Sequence, residues 1–258
     1  YMASNTGQTS PDDDWLSKVE EDILEPDLAI IDPHHHLWLR NGYTYLMPEL
    51  AVDLASGHNV VATVFAECHS MYRQNGPDAE KSLGETEFVR GQAAMSAGGE
   101  YGTARVAAGI VGHADLCLGD DVAPVLAAHI KAGGGRFRGI RHSTANDPDD
   151  GILGAEHTSP NPGLLYDETF RQGFAQLAPL NMSFDAWFYH PQMPELMDLA
   201  NAFPETPIVM DHVGAPLGIG PYKGRRDEIF AEWSKNITAL AKCPNVHVKL
   251  GGLAMKLT

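Results

Sequence analysis

Seven short apolar, β-branched runs recur along this chain, and nearly every one ends in a residue that can titrate or coordinate. They are "LAIIDPHHHLW", "NVVATVFAECHS", "ARVAAGIVGHADL", "FRGIRHST", "MSFDAWFYHP", "TPIVMDHVGAP" and "NVHVKLGGL". Between most of them lie stretches with a helical period, namely "ETEFVRGQAAMSAG", "DVAPVLAAHIKAGG", "YDETFRQGFAQLAPL", "PELMDLANAF" and "RDEIFAEWSKNITALAKC". Strands that alternate with helices in this way dictate a parallel sheet covered by helices. Near-continuous apolar strands fit burial on both faces. A doubly wound sheet would place a glycine-rich phosphate turn after its first strand, and no G-x-G-x-x-G stands there. The pattern therefore predicts an α/β fold of the (β/α)8 TIM barrel type, in which polar residues gather at the C-terminal strand ends and share one mouth.

At 258 residues with 43% hydrophobic content, the chain can bury a barrel-sized core. We read residues 27–258 as the barrel domain and residues 1–26 as an N-terminal extension. In that extension "PDDDWLSKVEEDILEP" predicts one short helix, capped by Asp14 and stopped at Pro26. A formal net charge of −16 without a basic run argues against nucleic acid as a partner. No apolar stretch reaches the roughly 20 residues a bilayer requires, so no membrane partner is expected. Three widely spaced cysteines, Cys68, Cys117 and Cys243, do not make a disulfide framework, and the expected location is the cytoplasm.

In "IIDPHHHLW", alternation along a strand puts His34 and His36 on one face and His35 on the other. Two imidazoles spaced by two residues can meet one divalent ion, and Asp32, one step deeper on the same face, is placed to orient a ligand histidine or the local backbone. His190 and His212 end later strands and belong to the same set. Glu67 ends "VVATVFAE", where a metal ligand, a base and an arginine partner are all consistent with it. Arg73 and Arg141 are candidates for gripping an anionic substrate through the guanidinium fork, with salt bridging as the alternative. Asp211 precedes His212 and is expected to point away from it into a structural pair. No G-x-S-x-G, H-E-x-x-H or C-x-x-C is present to support a serine hydrolase, a zincin or a structural zinc.

"IIDPHHHLW" resembles the Asp-x-His-x-His signature of the amidohydrolase superfamily, in particular the amidohydrolase-related branch that holds sugar lactonases and 2-pyrone-4,6-dicarboxylate lactonase. The likeness extends over "FAECHSMYR", "GIRHSTA", "FDAWFYHPQMPELMDLANAFPETPIVMDHVGAP" and "NVHVKLGGL". It implies that the barrel is distorted and that the protein is a hydrolase in which a divalent metal is held by His34, His36, His190 and Glu67, with His212 and His190 acting on the carbonyl of a lactone, ester or amide. Zinc is the expected metal, iron or manganese are alternatives, and a metal-free site stays open. The substrate is a small molecule, an anionic one among the options, and an oligomer with itself or with a related subunit is a further expectation. The family's eighth β/α unit, with its aspartate, finds no counterpart before Thr258. Two other readings share the barrel, a non-heme iron or manganese oxygenase or decarboxylase, and a catalytically degenerate scaffolding subunit.

Overall fold

The structure, a computed structural model, describes residues 14, 17–40, 42–149, 151–152, 161–253 and 255. The chain divides into two compact units, one of Tyr1–Gly112 with Ala128–Phe137, the other of His113–Ala127 with Arg138–Thr258. All seven runs identified in the sequence form parallel strands, three in the first unit and four in the second.

In the first unit, β1 (Ile30–His35) pairs with β4 (Val60–Ala66), which pairs with β5 (Arg105–Gly112). The register sets Ile30 against Val60 and His35 against Phe65, then Phe65 against Ile110. Phe65, Val106 and Ile110 are buried, as are Leu83, Val89 and Ala93 of the helix α2 (Leu83–Ala97) that covers β5. A two-stranded antiparallel hairpin, β2 (Trp38–Arg40) with β3 (Tyr43–Tyr45), leads into the helix α1 (Met47–Leu54). Pro48 in the first turn and Glu49, whose carboxylate accepts the Leu46 N–H at 2.8 Å, start that helix. Neither the hairpin nor α1 was expected, because three-residue strands carry too little period to be read.

In the second unit, β6 (Phe137–Arg141), β7 (Ser183–Ala186), β8 (Ile208–Met210) and β9 (Val246–Val248) pair in that order. Arg141 lies opposite Asp185, and Asp185 opposite Val209. The helix α3 (Ala123–Gly133) precedes β6, and α4 (Glu168–Ala175), α5 (Met193–Ala202) and α6 (Arg226–Leu240) follow the next strands as their periods predict. Asp167 caps α4 by accepting the Phe170 N–H at 2.9 Å. Phe170 and Phe174 of α4 meet Phe184 of β7 edge to face, and all three are fully buried, each worth roughly 1.5–3 kcal/mol of burial. A second cluster of Ala145, Ile152, Tyr189, Ala215 and Leu217, with Trp187 and Tyr222 against it, backs the segments that follow β7 and β8.

The expected N-terminal helix is corrected in its visible part. Ser17 to Pro26 are turn and irregular chain, with Val19 70% and Leu24 91% exposed. An acidic segment with no apolar face to bury gains nothing from packing, and that outweighs its helical period. Residues 1–13, 15 and 16 lie outside the described residues. Cys68, Cys117 and Cys243 are all free thiols, in keeping with the absence of a disulfide framework. Among the described residues, no helix is long and apolar enough to cross a membrane.

Candidate active site

In the first unit, β1 carries the histidine run with the alternation its sequence predicts. His34 and His36 bring their Nε2 atoms to 3.2 Å, while His35 turns the other way and is buried. His35 Nε2 bonds the Thr63 hydroxyl at 2.8 Å, and that hydroxyl accepts the Ala107 N–H at 2.9 Å. Burial is the dominant influence on this ring and pulls its pKa down to about 4, so it is a neutral core imidazole at physiological pH.

His36 Nδ1–H donates to the Ala66 carbonyl at 2.8 Å. That bond fixes the tautomer and leaves the Nε2 lone pair as the ring's metal donor. Asp32 Oδ1 accepts the His34 backbone N–H at 3.1 Å, which is the backbone-orienting role its position suggests. Two imidazole nitrogens 3.2 Å apart fit one small divalent ion. With both bonds at about 2.1 Å they subtend roughly 100° at the ion, within the range of tetrahedral or octahedral coordination.

Glu67 follows β4 directly and is 3% exposed, with an oxygen 3.6 Å from His69 Nε2. Beside it Glu85, from α2, accepts the N–H groups of Cys68 at 3.0 Å and Ser70 at 2.8 Å. Burial first, and the charge of Glu67 second, push the Glu85 carboxyl up to about 8. Two buried carboxylates in one place disfavour each other's ionisation, and the pair titrates as one coupled unit.

Arg73 sits at the surface end of the same unit, where its guanidinium binds Glu87 through Nη2 and through Nε at 3.2 Å. Its fork is thus already matched to a carboxylate, and the salt-bridge alternative describes it better than the substrate grip.

In the second unit, His190 opens the turn after β7 and is fully buried. Its Nδ1 accepts the Leu217 N–H at 3.2 Å, and its ring meets Tyr222 edge-on at 5.4 Å. A neutral imidazole that accepts at Nδ1 carries its proton on Nε2. That Nε2–H has no hydrogen-bond partner among the described residues. Burial lowers the pKa of the ring and keeps it neutral. The geometry thus makes His190 a hydrogen-bond donor, a role compatible with the catalytic part of the expectation and not with simultaneous metal ligation.

His212 is half-buried, 5.5 Å from Trp187, in a tight turn after β8. The strand ends at Met210, and His212 and Val213 both have φ of 49°. Strand alternation therefore does not govern Asp211 and His212; a left-handed turn does. Asp211 is nonetheless the structural partner expected of it. It is fully buried, 3.3 Å from Arg141 Nη1 and 3.0 Å from Lys249 Nζ. Lys249 also pairs with buried Asp185, so two cations and two carboxylates form one neutral cluster. Arg141, expected to hold substrate, pairs with Asp211 through Nη1 there.

Lys249 was missed by sequence reasoning, although "VHVK" ends an apolar run in a titratable residue as the other six do. Of the remaining histidines at strand ends, His113 Nδ1 donates to the Arg141 carbonyl at 3.1 Å and His142 Nδ1 accepts the Leu116 N–H at 3.2 Å. Asp115, Cys117 and His142 gather potential ligand atoms within 4.8 Å of one another, but the His142 nitrogen nearest Asp115 is the one already engaged by Leu116.

Comparison with known proteins places this geometry in a family. An uncharacterised protein of Sinorhizobium fredii is 32% identical over 251 residues, which is 89% of this chain and 74% of the relative. An L-fucono-1,5-lactonase of Burkholderia ambifaria is 26% identical over 236 residues, covering 86% of this chain and 67% of the lactonase. Two crystal structures of an amidohydrolase from Burkholderia multivorans, with bound HEPES and with bound zinc, superpose with TM-scores of 0.60 and 0.59 at 24% identity. They cover 88% and 86% of this chain, and 71% and 69% of theirs. A probable 2-pyrone-4,6-dicarboxylic acid hydrolase of Acinetobacter baumannii, with bound citric acid, has a TM-score of 0.54 at 14% identity over 86% of this chain and 70% of its own. These likenesses show a shared fold, that of the amidohydrolases. The amidohydrolase family profile matches residues 31–256, from the start of the histidine strand to beyond the last one, and the chain belongs to that family of hydrolases.

Proposed function

We propose that this protein hydrolyses a cyclic or linear ester of a small polar molecule, a sugar lactone first among them. The observation that carries the reading is the pair of Nε2 atoms of His34 and His36, 3.2 Å apart and oriented by Ala66 O and Asp32. Supporting the substrate class is the L-fucono-1,5-lactonase among the relatives, and supporting zinc is the ion in the Burkholderia multivorans structure.

His34 and His36 would hold a divalent ion, zinc in the first place, with Glu67 as the carboxylate ligand. Such an ion, when bound, lowers the pKa of water toward neutrality and polarises a carbonyl. The chain's own groups do the rest. His36 keeps its Nε2 lone pair available because Nδ1–H is tied to Ala66. In the second unit, His190 carries its proton on Nε2 in a ring kept neutral by burial, a donor suited to a carbonyl oxygen on which negative charge develops. In the same unit His212, held on a fixed turn, is placed to position an ester group. Trp187 and Tyr222, which pack near these rings, offer apolar surface against which a sugar ring can lie. Arg73 and Arg141 each already pair with a carboxylate, Glu87 and Asp211, which favours an uncharged substrate over an anion.

The test is turnover of a panel of aldono-1,5-lactones, followed by acid release in a pH-indicator assay, with the His34→Ala and His190→Gln variants alongside. Loss of at least about 100-fold in kcat for either variant supports the reading. Undiminished hydrolysis by both refutes it. Activity that depends strictly on iron and consumes O₂ would instead bring back the oxygenase; the relatives named above give that alternative no support.

A further inference from the structure

We propose that the segment Lys249–Gly252, at the end of β9, is a positioning element whose task is to hold the His212 imidazole in place. The inference rests on the proposed role of His212 in the site.

His212 occupies an unfavourable backbone conformation. His212, Val213 and Ala215 have φ of 49°, 49° and 42°, in the left-handed region that residues with a Cβ avoid. Such strain persists only where the surroundings over-determine it. Within the turn, Gly214 at φ 74° and an Ala215 N–H bond to the His212 carbonyl at 2.9 Å contribute, and Trp233 Nε1–H donates to the Val213 carbonyl at 2.8 Å. Further constraint comes from the segment that follows β9.

Four contacts converge from that segment, three of them made by Lys249. The Lys249 N–H donates to the Met210 carbonyl at 2.9 Å, and the Lys249 carbonyl accepts the Val213 N–H at 3.1 Å. One peptide unit after another of the same residue therefore brackets Asp211 and His212 on both sides. The Lys249 ammonium then holds the Asp211 carboxylate at 3.0 Å from the side opposite Arg141, with Asp185 completing its own shell. Finally Gly252, at φ 77°, lies directly against the imidazole. A Cβ built there would stand 2.5 Å from His212 Nδ1 and 2.6 Å from Cγ. An alanine must push the ring by roughly 1 Å to reach ordinary contact, and the left-handed φ disfavours it as well.

The chemistry of the cluster points the same way. A buried pair of ion pairs is a poor source of stability, because desolvation offsets most of its Coulombic gain; its attested use is to fix a geometry. Here what it fixes is the residue immediately before His212. A residue that acts on a carbonyl loses much of its effect when misplaced by about 1 Å. Lys249, Gly252 and Asp185 never need to touch substrate for this purpose.

The test uses the full chain labelled with ¹³Cε1-histidine, the His212 signal being assigned by its loss in His212→Gln. Lys249→Met, Lys249→Arg and Gly252→Ala are compared for that signal and its pH titration, and for kcat and KM on D-glucono-1,5-lactone. We expect Gly252→Ala and Lys249→Met to shift the His212 signal while the other imidazole signals stay, and to lower kcat about tenfold or more with KM within about twofold. Lys249→Arg, which keeps the charge, should restore part of both. If Lys249→Met fails to fold, Gly252→Ala carries the test, since it removes no charge and its neighbours Leu250 and Leu253 are 82% and 64% exposed. An unmoved His212 signal in folded Gly252→Ala overturns the inference. The spectra read the clamp whether or not the lactone is turned over. If His212→Gln leaves turnover intact, the role of His212 falls while the spectra still decide the clamp.

Discussion

His35 sets a stability that fades with acid, and its size can be worked from the fold. The ring is 8% exposed, bonded to Thr63, and has a pKa of about 4 against 6.5 for an unfolded histidine. Between those values the unfolded chain binds a proton that the native chain refuses, so unfolding becomes easier as pH falls through that window. The contribution is fully present above pH 6.5 and is lost progressively toward pH 4. Integrating the difference from pH 7.5 to pH 5 gives a loss of about 2 kcal/mol, and about 3 kcal/mol at the acid limit. For a chain of this size that corresponds to a fall in Tm of roughly 4–8 °C at pH 5. Glu85, whose carboxyl is raised to about 8, works in the opposite sense. Its contribution is complete below the unfolded carboxylate pKa and is lost as pH rises toward 8. The informative comparison is therefore between wild type and His35→Gln, which share Glu85 but not the imidazole. Glutamine reaches the Thr63 hydroxyl without titrating. Urea unfolding at pH 7.5, 6.5, 5.5 and 5 should show the wild type losing about 2 kcal/mol more than the variant over that range. Parallel pH profiles in the two proteins would mean that the ring is not buried neutral, and the facing argument for the whole His34–His36 run would fail with it.

Other consequences follow from single contacts. Asp32→Ala removes the carboxylate that orients the His34 N–H and should weaken zinc binding about 10- to 100-fold with little change in circular dichroism; unchanged affinity in a competition titration would remove Asp32 from the site. Gly173→Ala places a Cβ 2.1 Å from the Leu116 carbonyl oxygen and should cost at least about 1–3 kcal/mol in denaturant unfolding, whereas a neutral result would mean that α4 does not pack against that backbone. Arg73→Ala breaks an exposed pair with Glu87 and should change stability by less than about 1 kcal/mol while leaving lactone turnover intact. A raised KM in that variant would restore the arginine to the substrate site.

Much of the strand framework was legible because β-branched runs and polar strand ends repeat with a fixed spacing. The His34, His35, His36 alternation held with β1 running through His35 and the extended direction carrying on to His36, one residue past the strand. It did not apply at Asp211 and His212, since β8 stops one residue earlier and the chain turns left-handed. No residue type announces that turn; part of the constraint lies in Lys249 and Gly252, some forty residues downstream. Arg73 and Arg141 looked alike in the sequence, yet one pairs at the surface and the other is buried against Asp211. Their partners come from other elements, and a single sequence does not pair elements. In the acidic extension, Ser17 to Pro26 had the period of a helix but no surface to pack on, and tertiary burial decided against it.

The central claim is that His34 and His36 are a ligand pair for a divalent ion. The direct measurement is zinc binding by isothermal titration calorimetry on the metal-stripped full chain, for wild type, His34→Ala and His35→Gln. Wild type and His35→Gln should each bind about one equivalent with similar affinity, and His34→Ala should lose at least about 100-fold. Equal zinc affinity in His34→Ala and wild type would contradict the account.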